Sequence, residues 1–340
     1  MPKSVEIPAD EIDLDDLAHL MVMQAGVDLA GPLTSSLLAG GRSNLTYALT
    51  DGVTEWILRR PPLGHVLATA HDMNREVRVQ QALGPTGFPV PRIMLSVIGR
   101  PVNFYVMERI TGRVLRSDAD FMGVAPHQRR AVGESFITTL ADLHRIDPNR
   151  IGLTDFGRPI GFLHRQIARW SKQSEASRTR DVPGLMELTT RLVAAIPKTS
   201  QVAIVHGDFR FDNTIVGLGA TPRMRALLDW EMSTLGDPLT DVGLAYLFWE
   251  GWLGIDNPIA GTPAAHACYP SWPDLAALYE ERSGRNLENF AWYQAFACFK
   301  LAVILEGIHC RHLRGLTVGT GFERIGGMVE PLVSRGLAHL

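Results

Sequence analysis

The chain has 340 residues, of which 46% are hydrophobic, and a formal net charge of −3. This length and apolar content allow two lobes with separate cores, and the charge gives no sign of nucleic-acid or polybasic membrane binding. Three cysteines without paired metal spacing fit a reducing compartment, so we expect a cytoplasmic protein. The acidic amino-terminal segment lacks the apolar core of a signal peptide. Lys300 interrupts the longest apolar run, so no membrane contact is expected.

The amino-terminal third is predicted to form a helix followed by a small antiparallel sheet. Apolar residues between positions 14 and 21 recur at helical spacing, and Gly26 provides a stop. The dipeptide Asp51-Gly52 separates two strand-like runs and is a strong hairpin signal. Two further strands flank a Gly99-Arg100 turn. These features predict a β-rich lobe over residues 1–110.

Helical patterns dominate from Thr111 onward, which predicts a second lobe over residues 111–340. The segment 111–200 holds 14 Lys and Arg residues against 9 Asp and Glu residues, although the whole chain is net acidic. Within it, Arg165, Arg169 and Lys172 follow i, i+4, i+7 spacing on one face of a predicted helix. Both a solvated basic face and an anion-binding wall fit this pattern.

The segment 206–241 carries the residues that suggest chemistry. It reads HGDFRFDN, then a short apolar strand, then DWE and GDPLTD. Asp208, Asn213 and Asp229 supply oxygen donors without thiolate or imidazole, which is the ligand set that Mg²⁺ prefers. Their spacing matches the catalytic loop and the later metal-binding aspartate of protein kinases, which indicates phosphoryl transfer. The GDPLTD motif at 236–241 is predicted to have a structural role at the start of a helix.

The motifs HGDx4N, DWE and GDPxxD, in this order, resemble those of the aminoglycoside phosphotransferase and choline kinase-like family. The segments LRRPP, RQIARWSKQ and HGDFRFDN resemble the subgroup of kinase-like domains fused to acyl-CoA dehydrogenases. The resemblance implies an α+β, bilobal protein-kinase-like fold with a small antiparallel β-sheet lobe and a larger, mostly helical lobe. Six residues between Asp229 and Gly236 are too few for a protein-kinase activation segment, so we expect a small-molecule acceptor.

The resemblance also implies roles for residues of both lobes. Asp208 would accept the proton of the acceptor hydroxyl, Arg210 would stabilise transition-state charge, and Asn213 and Asp229 would hold Mg²⁺. Arg59 stands where the family usually has Lys, and would hold the ATP phosphates while pairing with Glu76. Further nucleotide contacts are expected from the first hairpin turn, through Gly40, Gly41, Ser43 and Asn44, and from the backbone of Glu108 and Ile110 at the adenine.

The subgroup implies a hydroxyacyl-CoA as acceptor, and the basic surplus in residues 111–200 likewise favours an anionic hydroxyl compound. An aminoglycoside or other small-molecule kinase, a catalytically silent nucleotide-binding module and a metal-dependent hydrolase are the alternatives. The sequence leaves open a homodimer and the choice between ATP and GTP.

Overall fold

A computed structural model describes residues 12–38, 44–61, 73–98, 103–198, 201–317 and 321–340. The chain divides into two compact units. Unit 1 comprises Met1–Thr111 and Arg225–Ser233, and unit 2 comprises Gly112–Met224 and Thr234–Leu340. The DWE segment therefore belongs to the amino-terminal unit, although it lies far along the chain from the rest of that unit. The Gly40-Gly41 and Gly99-Arg100 turns lie outside the described residues.

Unit 1 begins with helix α1 (Leu14–Ala25). Asp13 caps its first turn by accepting hydrogen bonds from the backbone N–H groups of Asp15 and Asp16. Gly26 ends the helix with φ at 61°, a left-handed conformation that costs glycine little. Leu17 and Met21 are buried and pack into the core of the sheet that follows. The predicted helix and its glycine stop are confirmed.

In the described part of unit 1, five strands form one antiparallel sheet: β1 (Thr34–Leu37), β2 (Leu45–Thr50), β3 (Glu55–Arg60), β4 (Ile93–Val97) and β5 (Phe104–Glu108). Their order is β1-β2-β3-β5-β4. Asp51 Oδ1 accepts hydrogen bonds from the N–H groups of Val53 (2.9 Å) and Thr54 (2.7 Å) in the turn between β2 and β3. Gly52 takes a φ of 92° there. The predicted hairpin is confirmed.

Helix α2 (Met73–Leu83) covers the face of the sheet that α1 does not. Alternation along β3 explains this, because Ile57 packs with Met73 and Val77 of α2 while Leu58 packs with the α1 side. The segment Arg225–Ser233 joins the same unit through the hydrogen bond from Leu227 N–H to the carbonyl oxygen of Pro89, 2.8 Å long.

Unit 2 is mostly helical. Its described helices are α3 (Asp118–Met122), α4 (Pro126–Arg145), α5 (Phe162–Ala176), α6 (Leu185–Ala194), α7 (Leu239–Tyr246), α8 (Trp272–Ser283), α9 (Phe290–Leu313) and α10 (Val329–Ala338). The remaining strands are β6 (Ala203–Val205), β7 (Thr214–Gly217), β8 (Arg223–Leu227), which carries the chain into unit 1, and β9 (Thr234–Gly236). Strand β6 pairs antiparallel with β9.

Helix α9 is, among the described helices, the one that is long and apolar enough to cross a membrane by length and composition. In its most apolar window 72% of the residues are buried inside the protein, and the helix packs against α7 and α10. This is the environment of a central core helix. Lys300 lies near the middle of α9, and a charged residue in such a helix needs a separate explanation.

Candidate active site

Unit 1 contains a group of buried polar side chains around Arg59, which we term the arginine cluster: Arg59, Glu76, Asn44, Tyr105 and Asp229. Arg59 projects from β3, and its Nη1 lies 3.1 Å from Glu76 Oε2. Its Nη2 lies 3.5 Å from Asp229 Oδ1. The predicted Arg59–Glu76 pair is present, and the guanidinium also reaches the aspartate of the DWE motif. A guanidinium has two terminal amino groups and can contact two carboxylates at once, whereas a lysine ammonium is a single point of charge.

Glu76 is completely buried and accepts hydrogen bonds from two further donors. Asn44 Nδ2 lies 3.0 Å from its Oε1, and the Tyr105 hydroxyl lies 2.7 Å from its Oε2. Burial raises the pKa of Glu76, and Arg59 and these donors oppose that shift. Burial also disfavours the charge on Arg59, but Tyr105, Glu76 and Asp229 together raise its pKa, so the guanidinium stays charged. Asn44, which we expected to meet nucleotide, orients Glu76 in this structure.

The DWE motif places two carboxylates beside this cluster. Asp229 adopts φ at 65°, a left-handed conformation that is uncommon for a residue with a side chain. Carboxylate oxygens of Glu76, Asp229 and Glu231 lie within 4.8 Å of one another, which suits a cation with oxygen ligands. Sequence reasoning missed Glu231 as a candidate ligand, although its place two residues after Asp229 was visible.

In unit 2, residues 206–213 form what we term the aspartate loop. The buried Asp241 anchors it, because its Oδ2 accepts a hydrogen bond from His206 N–H at 2.6 Å and its Oδ1 one from Gly207 N–H at 2.8 Å. Burial opposes ionisation of Asp241, but His144, His206 and the Gly207 N–H together lower its pKa. Gly207 takes φ at 85°, which favours glycine at this turn. Asp241 is therefore structural, as expected.

Asp208 and Asn213 are brought together within this loop. Asn213 Nδ2 donates to the backbone oxygen of Asp208 at 2.9 Å and to its Oδ2 at 2.8 Å. The backbone N–H of Asp208 donates to His206 Nδ1 at 3.2 Å. The amide thus fixes the orientation of a partly buried carboxylate, which is what a positioned proton acceptor requires.

An acidic and an aromatic neighbour contact the Arg210 side chain. Its Nη2 pairs with Asp212, and its guanidinium carbon lies 4.9 Å from the centre of the Phe248 ring. Its Nε has no hydrogen-bond partner in the described part of the chain. The role in transition-state stabilisation stays a prediction.

Lys300 of α9 reaches the aspartate loop and was not recognised from the sequence. Its Nζ donates to the carbonyl oxygen of Gly207 at 2.6 Å and lies 5.6 Å from the centre of the Trp170 ring. Burial lowers the pKa of Lys300, while the charges of Asp208 and Asp241 oppose that shift. A lone lysine within an apolar helix was the available signal.

The other predicted nucleotide contacts are only partly described. The backbone N–H of Glu108 donates to the carbonyl oxygen of Arg92 at 3.0 Å, so this N–H is already used within the protein. Ile110 is partly buried beyond the end of β5. Gly40, Gly41 and Ser43 lie outside the described residues.

The model of the phosphotransferase enzyme family, APH, matches residues 34–290. This chain belongs to the APH family. The rat protein named acyl-CoA dehydrogenase family member 11 is 36% identical over 322 residues, which cover 92% of this chain and 41% of the rat protein. The chain thus spans less than half of that relative.

Solved structures agree with this assignment. A Ralstonia eutropha protein, provisionally described as an aminoglycoside phosphotransferase, is 31% identical with a TM-score of 0.82, covering 96% of this chain and 97% of its own. A choline kinase of Cryptosporidium parvum is 14% identical with a TM-score of 0.62 and 95% coverage of both chains, and so supports the fold alone. The kinase-like α+β fold predicted for this APH-family protein is confirmed.

Proposed function

We propose that this APH-family phosphotransferase moves the γ-phosphoryl group of ATP to a hydroxyl group of a small anionic acceptor. The observation that carries the proposal is the Asp208 carboxylate, held by Asn213 on a loop that Asp241 anchors. The acceptor oxygen forms a bond to the γ-phosphorus, the bond from that phosphorus to the β–γ bridging oxygen breaks, and ADP leaves. Asp208 takes the proton of the hydroxyl.

The arginine cluster supplies the nucleotide side of the proposal. Arg59 would bind the ATP phosphates, and its buried contacts with Glu76 keep the guanidinium in place before ATP arrives. Asp229 and Glu231 carry oxygen donors that would hold Mg²⁺. When bound, the metal would neutralise charge on the β and γ phosphates.

Two observations support an anionic acceptor. The segment 111–200 has the surplus of basic residues described above. The chain also matches part of a protein named acyl-CoA dehydrogenase family member 11, and this name suggests an acyl substrate. A hydroxyacyl-CoA or the corresponding free hydroxy acid combines the required hydroxyl with negative charge. Opposite charges across a binding cleft concentrate such a ligand, and a polycationic aminoglycoside would be repelled.

The test is an acceptor screen with purified protein, Mg²⁺ and ATP labelled at the γ position. Hydroxy acids, their CoA thioesters and kanamycin are compared by transfer of the label, with the Asp208→Ala variant as the blank. We expect label in the anionic acceptors and none with the variant. Labelling of kanamycin with no labelling of any anionic acceptor would contradict the proposal and favour an aminoglycoside kinase.

A further inference from the structure

Lys300 occupies an unusual position for a charged side chain. It projects from α9, whose neighbouring residues Phe299, Leu301 and Ala302 are buried. Removing an ammonium group from water is costly unless other groups compensate for the lost hydration. In the described part of the chain, its Nζ donates a hydrogen bond to a neutral carbonyl, that of Gly207. An ammonium has three donors, so two are left for another partner.

The bonded carbonyl belongs to the residue directly before Asp208. Lys300 Nζ is therefore fixed beside the backbone of the carboxylate that we assign as proton acceptor, and the negative charge of Asp208 acts on it. A negatively charged group that binds Lys300 would lie close to a hydroxyl group that binds Asp208. The acceptor that fits both has its anionic group within a few bonds of its hydroxyl.

A second cation lies on the same aromatic ring. The guanidinium carbon of Arg169 is 5.4 Å from the centre of the Trp170 ring, and Lys300 Nζ is 5.6 Å from it. The positive charge of Arg169 disfavours the charge of Lys300. Because Lys300 and Arg169 are like charges beside one ring, an anion bound there would stabilise both.

We infer that Lys300 binds the carboxylate of a small hydroxy acid acceptor and that Arg169 extends this positive site. The inference rests on the proposed function and deepens it, because it names the group that distinguishes the acceptor. Arg165, on the same face of α5, is excluded from the site because it donates to the backbone oxygens of Arg158 and Ile160. A thioester carbonyl in place of the carboxylate would be bound less strongly, since hydrogen bonds to charged acceptors are stronger.

The test compares Lys300→Met, Lys300→Arg and Arg169→Met with wild type, and Lys198→Met serves as the matched control because Lys198 is exposed and lies outside the aspartate loop. Acceptors of equal length are offered as the hydroxy acid, its CoA thioester and the uncharged alcohol. Loss of a charge-assisted hydrogen bond is worth roughly a 10- to 100-fold change. We expect Lys300→Met to raise the KM for the hydroxy acid by about that factor. The KM values for ATP and for the alcohol should change little, and Lys300→Arg should restore part of the loss.

A binding measurement keeps the inference testable even if transfer is slow. Calorimetry with the carboxylic acid that lacks the hydroxyl should show binding to wild type and to Lys198→Met, and weaker binding to Lys300→Met. Equal losses for acid and alcohol, or a lowered melting temperature with unchanged acid binding, would overturn the role of Lys300 and leave the phosphotransferase proposal intact. Wild-type protein that transfers phosphate to uncharged or cationic acceptors and binds no acid would overturn both.

Discussion

The arginine cluster of unit 1 and the aspartate loop of unit 2 hold their functional groups in different ways. In the cluster, charged side chains pair with one another, and Glu76 is completely buried beneath Arg59. In the loop, a buried aspartate that does no chemistry, Asp241, holds the backbone by accepting hydrogen bonds from two N–H groups. The partly buried Asp208 is then oriented by one amide, that of Asn213.

In the loop, the residue that stabilises the backbone differs from the residue that we assign to chemistry. In the cluster, the same residues would serve both purposes. Removing one partner of a buried ion pair leaves the other charge without compensation, so the protein itself is destabilised. Removing the Asp208 carboxylate leaves the anchor of its loop in place. Substitutions in the two regions should therefore differ in whether they affect stability, even where both abolish activity.

The largest effect is expected for Asp208→Ala. Loss of a positioned proton acceptor lowers the transfer rate by about 10²- to 10⁴-fold, while ATP binding and the melting temperature should stay close to those of wild type because Asp241 still anchors the loop. Rapid-quench transfer assays and nucleotide titrations measure the two quantities. Asp181→Ala removes an exposed carboxylate of the same unit and serves as control. Wild-type turnover in Asp208→Ala would end the assignment.

Substitution of Arg59 should reduce both stability and nucleotide binding. Arg59→Ala leaves Glu76 buried without its ion-pair partner, which costs about 3 to 5 kcal/mol in the free energy of unfolding, and it should raise the KM for ATP. The double variant with Glu76→Ala should lose less than the sum of the single losses, because the two groups act as a unit. Urea unfolding and steady-state kinetics on all four proteins provide the check. Strictly additive losses would mean that the pair does not interact in solution.

The anchor of the aspartate loop should make stability depend on pH through His144. This buried ring lies with its Nε2 3.4 Å from Asp241 Oδ2 and its Nδ1 2.8 Å from the Tyr279 hydroxyl. Burial lowers its pKa, although Asp241 opposes the shift. Below pH 6.5, the ordinary value, the unfolded chain gains a proton that the folded protein does not yet bind. Stability should therefore fall as the pH decreases, by up to about 1.4 kcal/mol per pH unit from this group.

Denaturant unfolding at pH 7.5 and pH 5.5, compared between wild type and His144→Gln, isolates that contribution. The variant should show a smaller loss on acidification, because glutamine does not titrate. Equal losses in the two proteins would show that folding does not shift the pKa of His144.

Features that depend on a few adjacent residues could be predicted from the sequence. The HGDx4N and DWE motifs are local, and short spacing fixes Asn213 beside Asp208 within one loop. The hairpin at Asp51-Gly52 is equally local, because the turn depends on the conformations of a few adjacent residues. The Arg59–Glu76 pair was reached through the family resemblance, since nothing in the intervening sequence specifies it.

Contacts between distant segments were missed for a physical reason. Lys300 meets Gly207 across 93 positions of the chain, and Tyr105 meets Glu76 across 29. Which side chains meet depends on how helices and strands pack, and periodicity does not encode that. Lys300 was interpreted merely as a charge that interrupts an apolar run. A charge in an otherwise buried helix is better treated as a residue whose partner remains to be found.

The smallest effects are expected at the exposed charges of α5, which belong neither to the cluster nor to the loop. Arg169 and Lys172 are both exposed, but Arg169 lies on the Trp170 ring that Lys300 also approaches. Screening in water limits exposed charge interactions to about 1 kcal/mol or less, and to within about 8 Å at physiological salt. Arg169→Glu should therefore raise the KM for an anionic acceptor several-fold at low salt, and Lys172→Glu less.

Both charge-reversing substitutions, Arg169→Glu and Lys172→Glu, should also make the KM for the anionic acceptor depend less on salt, because the attraction that salt screens has been removed. The KM for ATP should change little in either variant. Steady-state kinetics from low to high ionic strength measure these slopes, with Lys198→Glu as the control for a change in net charge alone. If Lys198→Glu has the same effect as Arg169→Glu, the acceptor responds to the total charge of unit 2. A graded response, with Arg169→Glu largest, would instead locate the acceptor beside Trp170 and so beside the aspartate loop.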